Sequence, residues 1–465
     1  MRGRTNYTGG AMPVINGEIK NYEVASGNTI NKGDFVELIW EYLFKPLVGY
    51  RSSAQRVIRL TGGTYIVAIR AYTGYQWTLY AVDIEDGKPV IKATFVPTIG
   101  SGSVSTVEDL QLAALEDNRF AYNAARSDNY LGVCTILLKY EDETITFLSK
   151  QYYYDKDKLS SNPDYTPIAV CSNKRIVSTW DVYYVILSYE NDELVLLTET
   201  MNKASGSNSS SYKNHYFLSV PDNKNQFLAT YDIGENSSWS YIYLMELADD
   251  NSVTIKSRGL VTYGQKPLYH NMAYIDDKRF LILTGYANSG QYDYQTNKLY
   301  LMNTNGSSVS ATSYESTKTI TGMPSDRVYS VGGAIASLGD GYFVMAEGLG
   351  DYNTSGRKCY FSLGYVDSFG TITILDCVEV KDGNYFSWQG NGFIFVGDDD
   401  VCFYVEDDSN NTNTSYVAFK IVNKDHISSL EDKVYIKEYS KRAEGFANQS
   451  GVAGDTIEIY VPKTK

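Results

Sequence analysis

Three histidines, His215, His270 and His426, are the only imidazoles in a chain of 465 residues, and none has a His-x-x-x-His or Cys-x-x-Cys companion. Metal centres and general-base catalysis rely on side chains brought together by such spacings, so neither is expected here. Lone histidines on strands are ordinary packing or surface residues. The acidic runs "VGDDDV", with Asp398 to Asp400, and "VEDDSNNTN", from Glu406 to Asn413, offer hard oxygen ligands of the kind Ca²⁺ takes. They lack the alternating ligand spacing of an EF-hand loop, so a solvated turn and a solvated loop are the preferred readings. Nothing selects a glycosidase pair from the 55 acids. Neither a Gly-x-Ser-x-Gly elbow nor a Walker-type loop occurs, and Trp239 in "ENSSWSY" lacks the Asp and Gly of a sialidase-type aspartate box. The expectation is a chain with no catalytic, metal-binding or cofactor-binding residue, and not an enzyme.

A softer chemistry is written in "YTGYQW", "NKASGSNSSSYKNHY", "YANSGQYDYQTN", "LGDYNTSGRK" and "DDSNNTNTSY". Tyr and Trp supply flat stacking area, while Asn, Ser, Gly and Asp supply adaptable hydrogen bonds. Loops of this kind could bind host glycan. The plainer reading, soluble connections in a Tyr-rich protein, is preferred.

Positioning such loops is the work of strands. The chain holds 42 Tyr and only 10 Pro, and flat or β-branched side chains suit a half-buried pleated surface. Hydrophobic residues at 43% and charged residues at 21% are ordinary for a globular protein. A net charge of −14 opposes a grip on phosphate backbones or anionic lipid, so neither nucleic acid nor membrane is an expected partner. The opening "MRGRTNYTGGAMPVING" has no apolar core of a secretory signal, which points to synthesis in a cytosol. Five widely spaced cysteines, Cys134, Cys171, Cys359, Cys377 and Cys402, suit reduced core thiols.

One phrase recurs: a polar turn, a basic or small residue, then an apolar strand. It appears as "LTGGTYIVAI", "LEDNRFAYNA", "CSNKRIVSTW", "PDNKNQFLAT", "IDDKRFLILT", "LGDGYFVMAE" and "QGNGFIFVGD". With Tyr65, Phe120, Ile176, Phe227, Phe280, Phe343 and Ile394 as equivalents, the spacing runs from 51 to 63 residues. Residues 107 to 154 spell four strands with tight turns, and seven such units predict a seven-bladed β-propeller. Gly332-Gly333 and Trp180-Asp181 do not recur and mark no kelch or WD40 membership.

The two ends echo each other. "YEVASGNTINKGDFVELI" carries turn chemistry at Gly27, Gly33 and Asp34, and "GFANQSGVAGDTIEIYVP" carries it at Gly451, Gly454 and Asp455. Neither piece buries enough surface to stand alone. Together they are expected to form a small β-barrel or sandwich, with residues 1–54 as its first half, 441–465 as its second, and the propeller of 55–440 inserted between them. These Gly-Asp phrases resemble those of small decoration and fibre-anchoring domains in tailed-bacteriophage virion proteins. The match covers Gly27, Ile30, Gly33, Asp34 and Val36, then Gly445, Ala447, Gly451, Ala453, Gly454, Asp455 and Ile457, about 40 residues in all.

The resemblance implies a virion protein that docks on the particle, most simply on the head shell, and holds the propeller outward. Capsid or other virion proteins would be its partners, and symmetric or multicopy display would follow. A tail receptor-binding or baseplate protein that contacts host glycan is the alternative. A glycan-processing propeller enzyme is the second.

Overall fold

The protein is seen here as a computed structural model. It describes residues 17–462 except 25–26, 33, 41–44, 50–51, 72–75, 86–87, 100–101, 104–108, 126–132, 154–164, 181–182, 199–201, 204–211, 222, 234–238, 264–265, 288–293, 317–329, 350–357, 381–392, 398–400, 408–413, 423–425, 430–431 and 437–444. The described residues contain no helix long and apolar enough to cross a membrane.

The chain divides into two compact units, residues 44–427 and residues 1–43 with 428–465. The larger is an all-β β-propeller. Its strands gather into antiparallel sheets, each with its second and third strands in the middle. Sheet I joins Ser52–Arg59, Tyr65–Ala71, Trp77–Glu85 and Lys88–Phe95. Sheet II joins Leu112–Ala114, Arg119–Ala125, Val133–Glu141 and Thr144–Tyr153. Sheet III joins Ile168–Cys171, Arg175–Trp180, Tyr183–Glu190 and Glu193–Leu196, and Asn202–Lys203 also pairs with its third strand. Sheet IV joins Tyr212–Ser219, Gln226–Ile233, Trp239–Leu247 and Val253–Tyr263. Sheet V joins Lys266–Tyr274, Arg279–Ala287, Tyr294–Thr304 and Val309–Ser316. Sheet VI joins Ser330–Gly339, Tyr342–Leu349, Lys358–Val366 and Ile372–Val380. Sheet VII joins Phe393–Val396, Val401–Asp407, Thr414–Val422 and His426–Ser429, and Lys45–Val48 pairs with its third strand.

The second strands explain the packing. "YIVAI" is buried at every position from Tyr65 to Ile69, because sheets cover it from both sides. Such double burial selects near-continuous apolar runs over alternation. Alternation returns on fourth strands, where Ile145 is buried while Thr144 and Thr146 are exposed. Apolar clusters bridge sheets I and II through Trp77 and Phe120, II and III through Leu137 and Ile176, and III and IV through Val177 and Phe227. Others bridge IV and V through Leu244 and Phe280, and V and VI through Leu283 and Phe343. Tyr65 of sheet I stacks on Phe395 of sheet VII with ring centroids 4.9 Å apart, and its hydroxyl donates to the Val396 carbonyl.

Phe120, Phe227, Phe280 and Phe343 have no exposed area, and burial of each stabilises the fold by about 1.5–3 kcal/mol. Each stands second in the second strand of its sheet. Ile394 breaks the series, since it lies in the first strand of sheet VII. Val396 pairs with Cys402 as Ala114 pairs with Phe120, so Cys402, fully buried, is the true equivalent. The stretch "QGNG", residues 389–392, precedes that first strand instead of joining first to second, and it lies outside the described residues, as do residues 398–400.

In the smaller unit, Gly17–Val24, Asp432–Ile436, Phe35–Trp40, Gly445–Ala447 and Thr456–Pro462 hydrogen-bond in that order and close as a barrel. Its core is Tyr22, Val24, Ile30, Ala447, Ile457 and Ile459. The borders expected at 54/55 and 440/441 shift for a physical reason. Lys45–Val48 hydrogen-bonds within sheet VII, whereas Asp432–Ile436 pairs parallel with Gly17–Val24 and antiparallel with Phe35–Trp40.

Candidate functional site

Among the residues singled out by sequence, the barrel turns are the ones the structure brings together. Thr29 pairs with Val452 and Ile30 with Gly451, which sets the two glycine-rich phrases side by side. The Lys32 amide donates to Ser450 Oγ at 2.9 Å, and the Ala453 amide to the Asn28 carbonyl at 3.1 Å. Gly27 at φ 79° and Gly454 at φ 89° occupy the left-handed region that favours glycine. Gly33 lies outside the described residues. At Gly451 a Cβ would sit 2.5 Å from Ile457 Cγ2, so close packing excludes any side chain.

Asp34 and Asp455 are spent on the backbone. Asp34 Oδ2 accepts from the Asn31 amide at 2.7 Å, and Asp455 Oδ2 from the Val452 amide at 2.9 Å. Carboxylates held in this way shape turns. Asn31, Lys32 and residues 452–455 are exposed, Val452 by 53%, so the paired turns present a rigid rim with an apolar residue on it.

The propeller has two chemically different ends. At one end, turns join first to second and third to fourth strands, and side chains latch each sheet to the next. Asn118 Oδ1 of sheet II accepts from the Gly62 amide at 2.7 Å and the Thr61 hydroxyl at 3.1 Å. Lys92 reaches Glu85 at 2.6 Å and Glu143 at 3.0 Å, which hold its ammonium charged well above the ordinary lysine range. Arg119 reaches Asp192 at 2.6 Å, and Arg175 donates to the Ala248 carbonyl at 2.7 Å. Gln226 donates to the Gly306 carbonyl at 2.7 Å, and Arg279 to the Asp367 carbonyl. Thus the residue that opens four successive second strands grips the outer turn of the following sheet. Sequence showed the recurring basic residue but not its partner.

At the opposite end, each described second strand from sheet I to sheet VI buries polar side chains: Arg70, Asn123, Ser178 with Thr179, Thr230, Thr284 and Glu347. Buried polar groups are costly unless bonded, so their recurrence marks this end. Between sheets II and III, Ser178 donates to the Tyr153 hydroxyl, Tyr153 to Thr135 at 3.0 Å, and Thr135 to Asn123 Oδ1 at 2.8 Å. Asn123 Nδ2 then donates to the carbonyls of Thr166 at 3.2 Å and Pro167 at 3.1 Å. Burial pushes the Tyr153 phenol far up, so the relay stays neutral and fixes geometry without moving charge. Glu347 is the one buried carboxylate among the described residues. It stands opposite Gly333 of the first strand.

The remaining sequence candidates do not assemble. His215, His270 and His426 lie in sheets IV, V and VII. Asp398–Asp400 and residues 408–413 fall outside the described residues, as do the centres of all five aromatic loops. Trp77 of "YTGYQW", expected to offer stacking surface, is fully buried in the core between sheets I and II. Among the described residues no His, Cys, Asp and Glu side chains cluster to hold a metal ion.

No protein-family profile and no curated protein matches the chain. Solved structures similar to it include the Penicillium chrysogenum α-L-arabinanase complexed with arabinobiose, at 11% identity over 84% of this chain and 98% of that one, with a TM-score of 0.44. The β-propeller domain of the Pyrococcus furiosus Trilobed protease matches at 11% identity over 84% of this chain and 100% of that one, with a TM-score of 0.37. The Xanthomonas campestris GH74 xyloglucanase matches at 9% identity over 88% of this chain and 57% of that one, with a TM-score of 0.48. At these identities the likeness is one of fold. The expectation that the chain is not an enzyme rested only on missing motifs and does not stand, since solved structures similar in fold include enzymes.

Proposed function

We propose that the chain is a virion protein of a tailed phage, docked on the particle through the barrel and displaying the propeller. In this reading the seven sheets are the blades of one ring, inserted in a barrel that serves as the anchoring module. One observation carries it: strands from both ends of the chain close a single barrel whose paired Gly-Asp turns form an exposed, rigid rim. The same turn phrases resemble those of phage decoration and anchoring domains. A docking rim gains from rigid turns because little conformational entropy is lost on binding. Many copies would add weak contacts into firm attachment, with capsid protein as the partner.

The test is a reconstruction of purified virions of the phage that encodes the chain. Barrel density seated on the head shell is the expected result. Absence from the particle overturns the reading, and density confined to the tail tip replaces the head with the receptor-binding location.

A second reading, a propeller that processes glycan, is favoured by Glu347, a carboxylate with 1% exposure opposite Gly333, at the end where the second strands bury polar side chains. Turnover of host-surface polysaccharide that Glu347→Gln abolishes without lowering thermal stability would support it, and no turnover in the unsubstituted protein would exclude it.

A further inference from the structure

We infer that Asn305 is a self-modifying residue. In the folded chain its side-chain amide is lost to ring closure by the Gly306 nitrogen, which leaves aspartate or isoaspartate on the turn between the third and fourth strands of sheet V. The sequence holds three Asn-Gly pairs, at 16–17, 305–306 and 391–392. Both residues of the middle pair are described, and both are exposed. Glycine matters because it puts no Cβ beside the attacking nitrogen.

The donors gathered on Asn305 are those an oxyanion needs. Its Oδ1 accepts from the Ser307 amide and hydroxyl, both at 3.0 Å, and from the Ser308 amide at 2.8 Å and hydroxyl at 3.0 Å. A neutral amide oxygen offers two lone pairs, so this turn supplies more donors than the ground state can use well. Attack at Cγ turns the same oxygen into an alkoxide, with a further lone pair and a full charge. Donors about 2.7–3.1 Å from a developing oxyanion stabilise tetrahedral intermediates. Only interactions that strengthen on the way to the transition state speed a reaction, and these do.

The nucleophile is lightly held. The Gly306 amide donates to Thr304 Oγ1 at 3.4 Å, beyond the usual range of about 2.7–3.2 Å. Asn305 lines an open groove together with Lys278 and Arg279, so hydroxide and water reach it and cationic charge lies beside it. Hydroxide takes the Gly306 N–H proton, the N–Cγ bond closes a five-membered ring, and the carbonyl pair moves onto Oδ1. Collapse of that intermediate expels Nδ2, protonated by water, as ammonia. A second water opens the imide at Cγ to give aspartate, or at the Asn305 main-chain carbon to give isoaspartate. Either product adds a negative charge, and isoaspartate also lengthens the backbone. The Gly306 carbonyl is the group that Gln226 grips at 2.7 Å, so the modification loosens the latch between sheets IV and V.

The full chain is held at neutral and at mildly alkaline pH and digested. Mass spectrometry reads the amide-to-acid gain at residue 305, and isoaspartyl methyltransferase labels the isoaspartate. Conversion at residue 305 is expected, faster in the alkaline sample and with both acids among the products. Ser307→Ala combined with Ser308→Ala should slow it about tenfold. Ser307→Ala alone, at an exposed position, should slow it less and leave the melting temperature unchanged. The inference fails if residue 305 stays asparagine while the free peptide Thr304–Val309 converts. It fails equally if either variant converts as fast as the parent or faster, since the hydrogen bonds would then be a lock on the amide.

Discussion

Asp34 and Asp455 make the same turn from opposite ends of the chain: each carboxylate accepts the amide of the residue three positions before it, and each amide donates to that residue's carbonyl. The equivalence extends outward. The Asp34 carbonyl accepts from Ala447 at 3.0 Å, and the Asp455 carbonyl from Val24 at 2.8 Å, so each turn holds a strand from the other end of the chain. Asp455→Ala removes a charged acceptor from the Val452 amide and should cost about 1–3 kcal/mol of barrel stability. Faster hydrogen exchange at the Val24 and Gly454 amides checks it, while amides of the second propeller strands keep their protection.

Gly451→Ala places a methyl 2.5 Å from Ile457 Cγ2 and 3.3 Å from Val24 Cγ2. Overpacking of this kind costs about 1–3 kcal/mol. In an Ile457→Ala background the clash is gone, so a double-mutant cycle by chemical denaturation should show the Gly451→Ala penalty largely cancelled.

Asn118 combines a left-handed backbone, φ 56°, with its bonds to Thr61 and Gly62. Asn118→Gly keeps the backbone easy and removes only the bonds between sheets, whereas Asn118→Ala loses both. Thermal denaturation should therefore rank the parent first, the Gly variant second and the Ala variant last. The Gly62 amide should exchange faster in both variants.

Acid should loosen the latched end of the propeller. The Asp250 carboxyl lies below its ordinary value because the Ser252 hydroxyl and amide bond to it, and Asp367 because the Thr371 and Phe369 amides do. Burial opposes ionisation of Asp276, but the Lys278 amide and the Arg279 guanidinium and amide outweigh it and hold it low as well. A carboxylate depressed in the folded state stabilises fully above its unfolded value and loses that effect as pH falls through its folded value. Melting temperature should accordingly drop as pH falls below about 3.8, and the acid limb should be shallower for Asp276→Asn than for the parent.

The core of the propeller is legible because each second strand is buried on both sides, and a polar turn followed by an apolar run is the direct imprint of that burial. Tyr65, Phe120, Ile176, Phe227, Phe280 and Phe343 all announce themselves in this way. Ile394 misleads because "GNGF" reads as the turn before a second strand, whereas Phe393–Val396 is the first strand of sheet VII and Val401–Asp407 the second. Pairings across long sequence separation leave no local trace. Nothing in "KPLV" indicates that Lys45 pairs with Tyr416, nor does "DKVYI" disclose membership of the barrel. Trp77 shows the limit of reading loops by composition, since an aromatic beside glycine can begin a core strand. The latches and the buried polar residues escape for the same reason: Arg119 and Glu347 acquire meaning only from the neighbours that folding gives them.

The partner of the Gly17–Val24 strand is Thr456–Pro462, and that of Lys45–Val48 is Thr414–Val422. During synthesis Gly17–Val24 must wait for Thr456–Pro462, and Lys45–Val48 for Thr414–Val422, to leave the ribosome. Intervening sheets can form one after another in that interval, but a copy that stops before Thr456 never gains the partner that closes its barrel. The barrel that sets the paired turns therefore closes only after Thr456–Pro462 has been made.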